Sequence, residues 1–224
     1  MTNLNNVISR LVAFGDSFTE GCGLDDQFET LSKGKPSQCP YPALLGNMLN
    51  VPVSNMGKYG SSNLEILTSI LSFKFQPNDV VLIGWTYTLR DMLFKKSSNI
   101  DDSENHIRLY FGAPKGEPKE MQSWLKLHND YDLSVRTGLY IHHADIYLQS
   151  IGVKVIHFSA IHHDWYIRLM KTHQYPIWIK EPRNKFYKNL FPRLDLGIDN
   201  SHPGVKSQKK LADNLLKIIE EEIK

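Results

Sequence analysis

Residues 10–21 read RLVAFGDSFTEG. Leu11, Val12, Ala13 and Phe14 are apolar at consecutive positions, which suits a short strand covered on both faces, and Gly15 closes it. The polar residues that follow, Asp16, Ser17 and Thr19, suit a strand-to-helix turn, where such side chains cap free amides. A serine at that point stands at the mouth of a sheet, beside a helix N-terminus whose N–H groups stabilise negative charge. Gly-Asp-Ser on its own is a weak signal, because many turns use these residues only as caps.

The same alternation continues downstream. Residues 41–49 (YPALLGNML) have helical spacing with Pro42 in the first turn. VPVSNMG at 51–57 reads as a short strand. In SSNLEILTSILSF, Leu64, Leu67, Ile70 and Leu71 recur at helical spacing, and Ser61 or Ser62 suits the N-cap. NDVVLIGWT at 78–86 is a β-branched run typical of a buried parallel strand. Residues 133–150 return to helix, and GVKVIHFSA forms a further strand. The last helix lies in HPGVKSQKKLADNLLKIIEEEIK, with Pro203 in its first turn and a stripe of Leu211, Leu215, Ile218 and Ile219.

Strand-helix alternation predicts an α/β fold with a central parallel sheet and helices on both faces. Right-handed crossovers then bring the C-terminal ends of the strands to one edge. Ser17, Gly60 and Thr86 each lie at or just past a strand end, so that edge is the expected cleft. The 224 residues fit one domain, 1–224, with two departures from the rhythm. Residues 95–132, polar and rich in Gly and Pro, predict an insertion or lid. Residues 164–192 form an aromatic-rich excursion expected mainly to pack on the sheet, with one or two rings facing substrate.

Bulk composition narrows the function classes. Hydrophobic residues make up 41% and charged residues 22%, as in ordinary globular proteins, and the net charge of +2 gives no concentrated basic face for nucleic acid. KEPRNKFYK is read as solvated surface. MTNLNNVISRLVAFGDSF is not a signal peptide by its pattern, and no run is long enough to span a membrane, so the expectation is a cytoplasmic protein without a membrane partner. Cys22 and Cys39 have no metal-like spacing and are expected as free thiols. His142-His143 and His162-His163 invite a metal reading, but neighbours on a helix point about 100° apart and no carboxylate or cysteine pattern completes a site. No metal is expected. His162 and His163 follow a strand at the cleft edge and are candidates to line it.

Two further motifs accompany Gly15-Asp16-Ser17. Asn55-Met56-Gly57-Lys58-Tyr59-Gly60 opens a helix, where glycines permit close backbone approach and amides lack intrahelical partners. Asp199-Asn200-Ser201-His202-Pro203 puts a carboxylate and an imidazole on one turn. That spacing lets Asp199 orient His202 and lets His202 take a proton from a serine.

Together, in this order, the three blocks resemble the SGNH (GDSL-like) hydrolase family, which carries GDS near its N-terminus, N-x-x-x-x-G in the middle and DxxHP near its C-terminus. The resemblance spans residues 12 to 203. It implies a flavodoxin-like three-layer α/β/α sandwich, with Ser17 as nucleophile, His202 as base and Asp199 as orienter. It also implies an oxyanion hole from the amides of Ser17 and Gly60. One block departs. The family's G-x-N-D is Gly84-Trp85-Thr86-Tyr87 here, so Thr86 replaces a carboxamide and its hydroxyl is expected to be the third donor, with Arg90 or Trp85 in support, although Arg90 reads first as a surface or ion-paired residue. Asp16, Asn63, Trp85, Arg90 and His162 are the expected substrate contacts. The implied reaction is hydrolysis of small, acetyl-like O-acyl esters, on a carbohydrate or another polar small molecule, through an acyl-enzyme and without a cofactor. Acyl transfer by the same serine and a non-catalytic binding module are the alternatives. The oligomeric state is left open.

Overall fold

The computed structural model describes residues 7–26, 37–94, 106–110, 123–124, 126–160, 186–187 and 190–223. Its centre is a parallel sheet built from β1 (Arg10–Phe14), β2 (Val53–Asn55), β3 (Asp79–Trp85), β6 (Lys154–Ser159) and β7 (Phe186–Tyr187). The spatial order is β2-β1-β3-β6-β7, with every pairing parallel. Leu11 lies opposite Val53 on one side and Val80 on the other. The chain therefore leaves β1 in one direction to reach β2, then returns past it to β3. This is the flavodoxin-like order, with the reversal between β1 and β3, whose C-terminal ends lead to Ser17 and Thr86.

Consecutive strand residues point to opposite faces, so each apolar run feeds two cores. Leu11, Ala13, Val80, Leu82, Ile156 and Phe158 face one layer. That layer holds helix α2 (Tyr41–Leu49) and helix α5 (Val205–Glu222). Val12, Phe14, Val81, Ile83, Trp85 and Val155 face the other. There they meet helix α3 (Asn63–Ser72) and helix α4 (Asp130–Ser150). The expected three-layer α/β/α architecture is therefore present. Among the described residues, no helix is long and apolar enough to cross a membrane.

Local chemistry sets the helix starts. The Ser62 hydroxyl accepts from Glu65 N at 3.2 Å and caps α3. The last helix departs from expectation: Gly204 is its N-cap, and Pro203 lies before the first turn, bridged to Leu196 in antiparallel fashion. The region expected as an insertion from 95 onward belongs in part to an antiparallel hairpin outside the main sheet. This hairpin pairs β4 (Arg90–Phe94) with β5 (His106–Tyr110). The rest of residues 95–122 and most of the aromatic excursion at 164–192 lie outside the described residues.

Candidate active site

Ser17 opens a short helix, α1 (Ser17–Glu20), directly after β1. Asp16 is its N-cap and accepts from Phe18 N at 3.0 Å. The seat under this helix is unusually close. A Cβ on Gly15 would come within 2.0 Å of Thr19 Oγ1, and one on Gly57 within 2.4 Å of the Glu20 nitrogen. Gly57, inside the middle motif, thus serves the approach of α1 itself. Two amide side chains pin the helix from outside. Asn55 Nδ2 donates to Thr19 O at 2.8 Å, and Gln208 Nε2, from α5, donates to Phe18 O at 3.0 Å. Gln208 Oε1 also accepts from Tyr41 N at 2.9 Å, so one buried carboxamide joins α1, α2 and α5.

His202 arrives from the loop before α5. The Ser17 hydroxyl lies 3.0 Å from His202 Nε2, within donating distance. On the other side of the ring, Nδ1 donates to Asp199 Oδ2. This bond fixes the tautomer in which Nε2 accepts. Asp199 Oδ1 accepts from the amides of Ser201 and His202, each at 3.0 Å, so the carboxylate is held within its own turn. Burial pushes the Asp199 carboxyl up, but the His202 amide, the His202 ring and the Ser201 amide outweigh it. The net effect holds Asp199 well below the usual carboxylate range. Phe18 meets the His202 ring edge-on, with centroids 5.7 Å apart. Tyr59 stands 6.2 Å from the same ring and is 61% exposed.

Gly60 is buried at the turn before α3, with φ +71°. Thr86 follows β3, and its hydroxyl is engaged by two side chains. It donates to Asp16 Oδ2 at 2.6 Å and accepts from Arg90 Nη1 at 3.1 Å. A threonine hydroxyl has one proton, and here Asp16 takes it. The third oxyanion donor expected at Thr86 is thereby corrected: this hydroxyl organises Asp16.

Three of the expected substrate contacts also lie elsewhere. Trp85 is 2% exposed; it packs in the α3–α4 layer and donates from Nε1 to His157 Nδ1 at 3.1 Å. The strand period already contained this result, since Trp85 shares the parity of Val81 and Ile83. Asn63 is buried and clamps the end of β3: its Oδ1 accepts from Thr86 N at 2.9 Å, and its Nδ2 donates to Thr86 O at 3.2 Å. Asp16 is also fully buried and reaches Arg90, whose Nη1 donates to Oδ2 at 3.1 Å. Arg90 retains partial exposure and stacks over the Tyr87 ring at 4.9 Å. His162 lies outside the described residues.

Sequence reasoning did not single out Asn55 as the staple on Thr19, nor Gln208 at all. Asn55 opens the middle motif, which was a usable signal. Gln208 sits among the polar residues of an amphipathic helix and has no local signature.

No family model matches the sequence, and comparison with curated proteins finds no match. Solved structures do match in fold. An acetyl xylan esterase (Est2A) from the rumen bacterium Butyrivibrio proteoclasticus superposes with a TM-score of 0.59 at 13% identity, over 96% of this chain and 64% of that one. A protein of the G-D-S-L family from Desulfitobacterium hafniense DCB-2 gives 0.52 at 13% identity, over 94% and 99%. The lipase Lip_vut3 from a goat rumen metagenome gives 0.50 at 16% identity, over 96% and 100%. At these identities the shared property is the fold.

Proposed function

We propose that this protein is a serine ester hydrolase of the SGNH type. The observation that carries the reading is the alignment Ser17–His202–Asp199, with Ser17 Oγ 3.0 Å from Nε2 and the carboxylate on Nδ1. His202 takes the Ser17 proton as Oγ attacks the ester carbonyl, forming the tetrahedral adduct. The amides of Ser17 and Gly60 meet the oxyanion. The protonated His202 then gives its proton to the leaving alcohol, and the acyl group stays on Ser17. Water, deprotonated by His202, attacks the acyl-enzyme, and His202 returns that proton to Ser17 Oγ as the acid leaves. Asp199 stabilises the imidazolium in both halves. All these steps use side chains and backbone of this chain together with water.

The substrate class in this reading is a small O-acyl ester, acetyl-like, on a polar alcohol such as a carbohydrate. Tyr59 supports the carbohydrate alternative, because an exposed ring beside the base offers a stacking face for a sugar. The esterase from Butyrivibrio proteoclasticus, which shares the fold, is an acetyl xylan esterase by name. The test is turnover of an aryl acetate by wild type and Ser17→Ala. The expected loss in the variant is at least a thousandfold. Retention of more than a tenth of wild-type activity would remove Ser17 as nucleophile.

A further inference from the structure

Asp16 is a fully buried acidic side chain one residue before the nucleophile. Its Oδ1 accepts from Phe18 N, and its Oδ2 accepts from the Thr86 hydroxyl and from Arg90 Nη1. Phe18 N and Arg90 Nη1 can only donate, so Asp16 is the acceptor toward both. A buried carboxylate without a counter-charge is strongly unfavourable, and here the cation is Arg90. The guanidinium is held in place twice more, by its bond to Thr86 Oγ1 at 3.1 Å and by stacking on Tyr87.

The location gives this pair a consequence for chemistry. The reaction proposed for Ser17 develops a negative charge on the tetrahedral oxyanion, next to the residue that follows Asp16. In a site shielded from water, an uncompensated carboxylate would oppose that charge. We infer that Arg90 is a positioning residue for ester cleavage: it neutralises Asp16 and thereby keeps the field around Ser17 open to a developing oxyanion. The inference rests on the Ser17 reading. It assigns Arg90 no contact with substrate and makes the ion pair, with Thr86 between its partners, the working form of the divergent GWTY block.

A double-mutant cycle tests it, with kcat and KM for an aryl acetate measured on wild type, Arg90→Gln, Asp16→Asn and the double variant. Asparagine keeps an acceptor for Phe18 N and removes the charge. Arg90→Gln is expected to lower kcat tenfold or more while KM changes less than threefold. In the Asp16→Asn background the same substitution should change kcat less than threefold, because no charge remains to be neutralised. A loss of similar size in both backgrounds would overturn the inference and place Arg90 on the oxyanion or in the scaffold. An effect below threefold in the wild-type background would overturn it as well. Should Arg90→Gln fail to fold, Arg90→Lys replaces it: kcat retained within threefold supports charge neutralisation, and a tenfold loss contradicts it. Ser17→Ala is run alongside. Turnover surviving in that variant removes Ser17 as nucleophile and with it the reading on which the inference rests, whereas an inactive Ser17→Ala beside an active wild type makes the Arg90 results bear on the inference alone.

Discussion

The Ser17 corner and the Asp199–His202 loop meet at one hydrogen bond and are held in different ways. On the serine side, Asp16 is fully buried and Ser17 is 3% exposed. Helix α1 is clamped between glycines and tied to distant elements by Asn55 and Gln208. On the histidine side, the Asp199 side chain is 34% exposed, and Leu196 and Ile198 beside it are exposed as well. That loop is secured mainly by backbone bonds, among them Gly197 N to His202 O at 2.8 Å and Ile198 N to Gly23 O at 2.9 Å. The nucleophile is buried and held by close packing plus side-chain bonds to distant elements, and the base stands in a more exposed loop held by bonds within its own turn and to the Gly23 backbone. Substitutions on the two sides should therefore separate activity from stability.

Asp199→Asn gives the larger effect on rate. Asparagine still accepts from the Ser201 and His202 amides, so the loop keeps its shape, but its NH2 faces Nδ1 and favours the wrong tautomer. We expect kcat to fall at least a hundredfold, with Tm changed by only a few degrees in a thermal melt. A large drop in Tm would mean that the loop, too, depends on packing, and the contrast would fail.

Gly57→Ala probes the opposite side. Its Cβ would lie 2.4 Å from the Glu20 nitrogen and 2.7 Å from the Thr19 carbonyl carbon, both backbone, so α1 must move. Overpacking of this kind costs about 1–3 kcal/mol, which lowers Tm by roughly 2–12 °C in a chain of this size. Activity should fall with it, by a smaller factor than in Asp199→Asn, since Ser17 shifts with its helix. A lowered Tm with unchanged kcat would show that the seat stabilises the fold without setting the serine.

These differences also explain what the amino-acid sequence revealed. β1, β3 and α2 were legible because continuous apolar runs and a 3.6-residue period are local signals, and the parallel sheet followed from their alternation. The β4–β5 hairpin was not, because RDMLF and HIRLY are short, mix charged with apolar residues and pair with each other outside the main sheet. Pro203 reads as a first-turn residue, yet its bridge to Leu196 holds it outside the helix. At the site, Ser17, Asp199 and His202 stand in compact motifs. The Thr86 hydroxyl could be placed only once its partner was known: Asp16 lies 70 residues away in sequence. Gln208 reaches Phe18 across 190 residues by bonding to its backbone, a contact that no side-chain pattern announces.

The central claim is that His202 activates Ser17, and covalent labelling tests it most directly. Wild type, Ser17→Ala and His202→Ala are incubated with a fluorophosphonate, and the modified peptide is located by mass spectrometry. The account predicts a single adduct on the peptide containing Ser17 in wild type, none in Ser17→Ala, and labelling slowed at least a hundredfold in His202→Ala. An unlabelled, folded wild-type protein, or an adduct on a different residue, would contradict it.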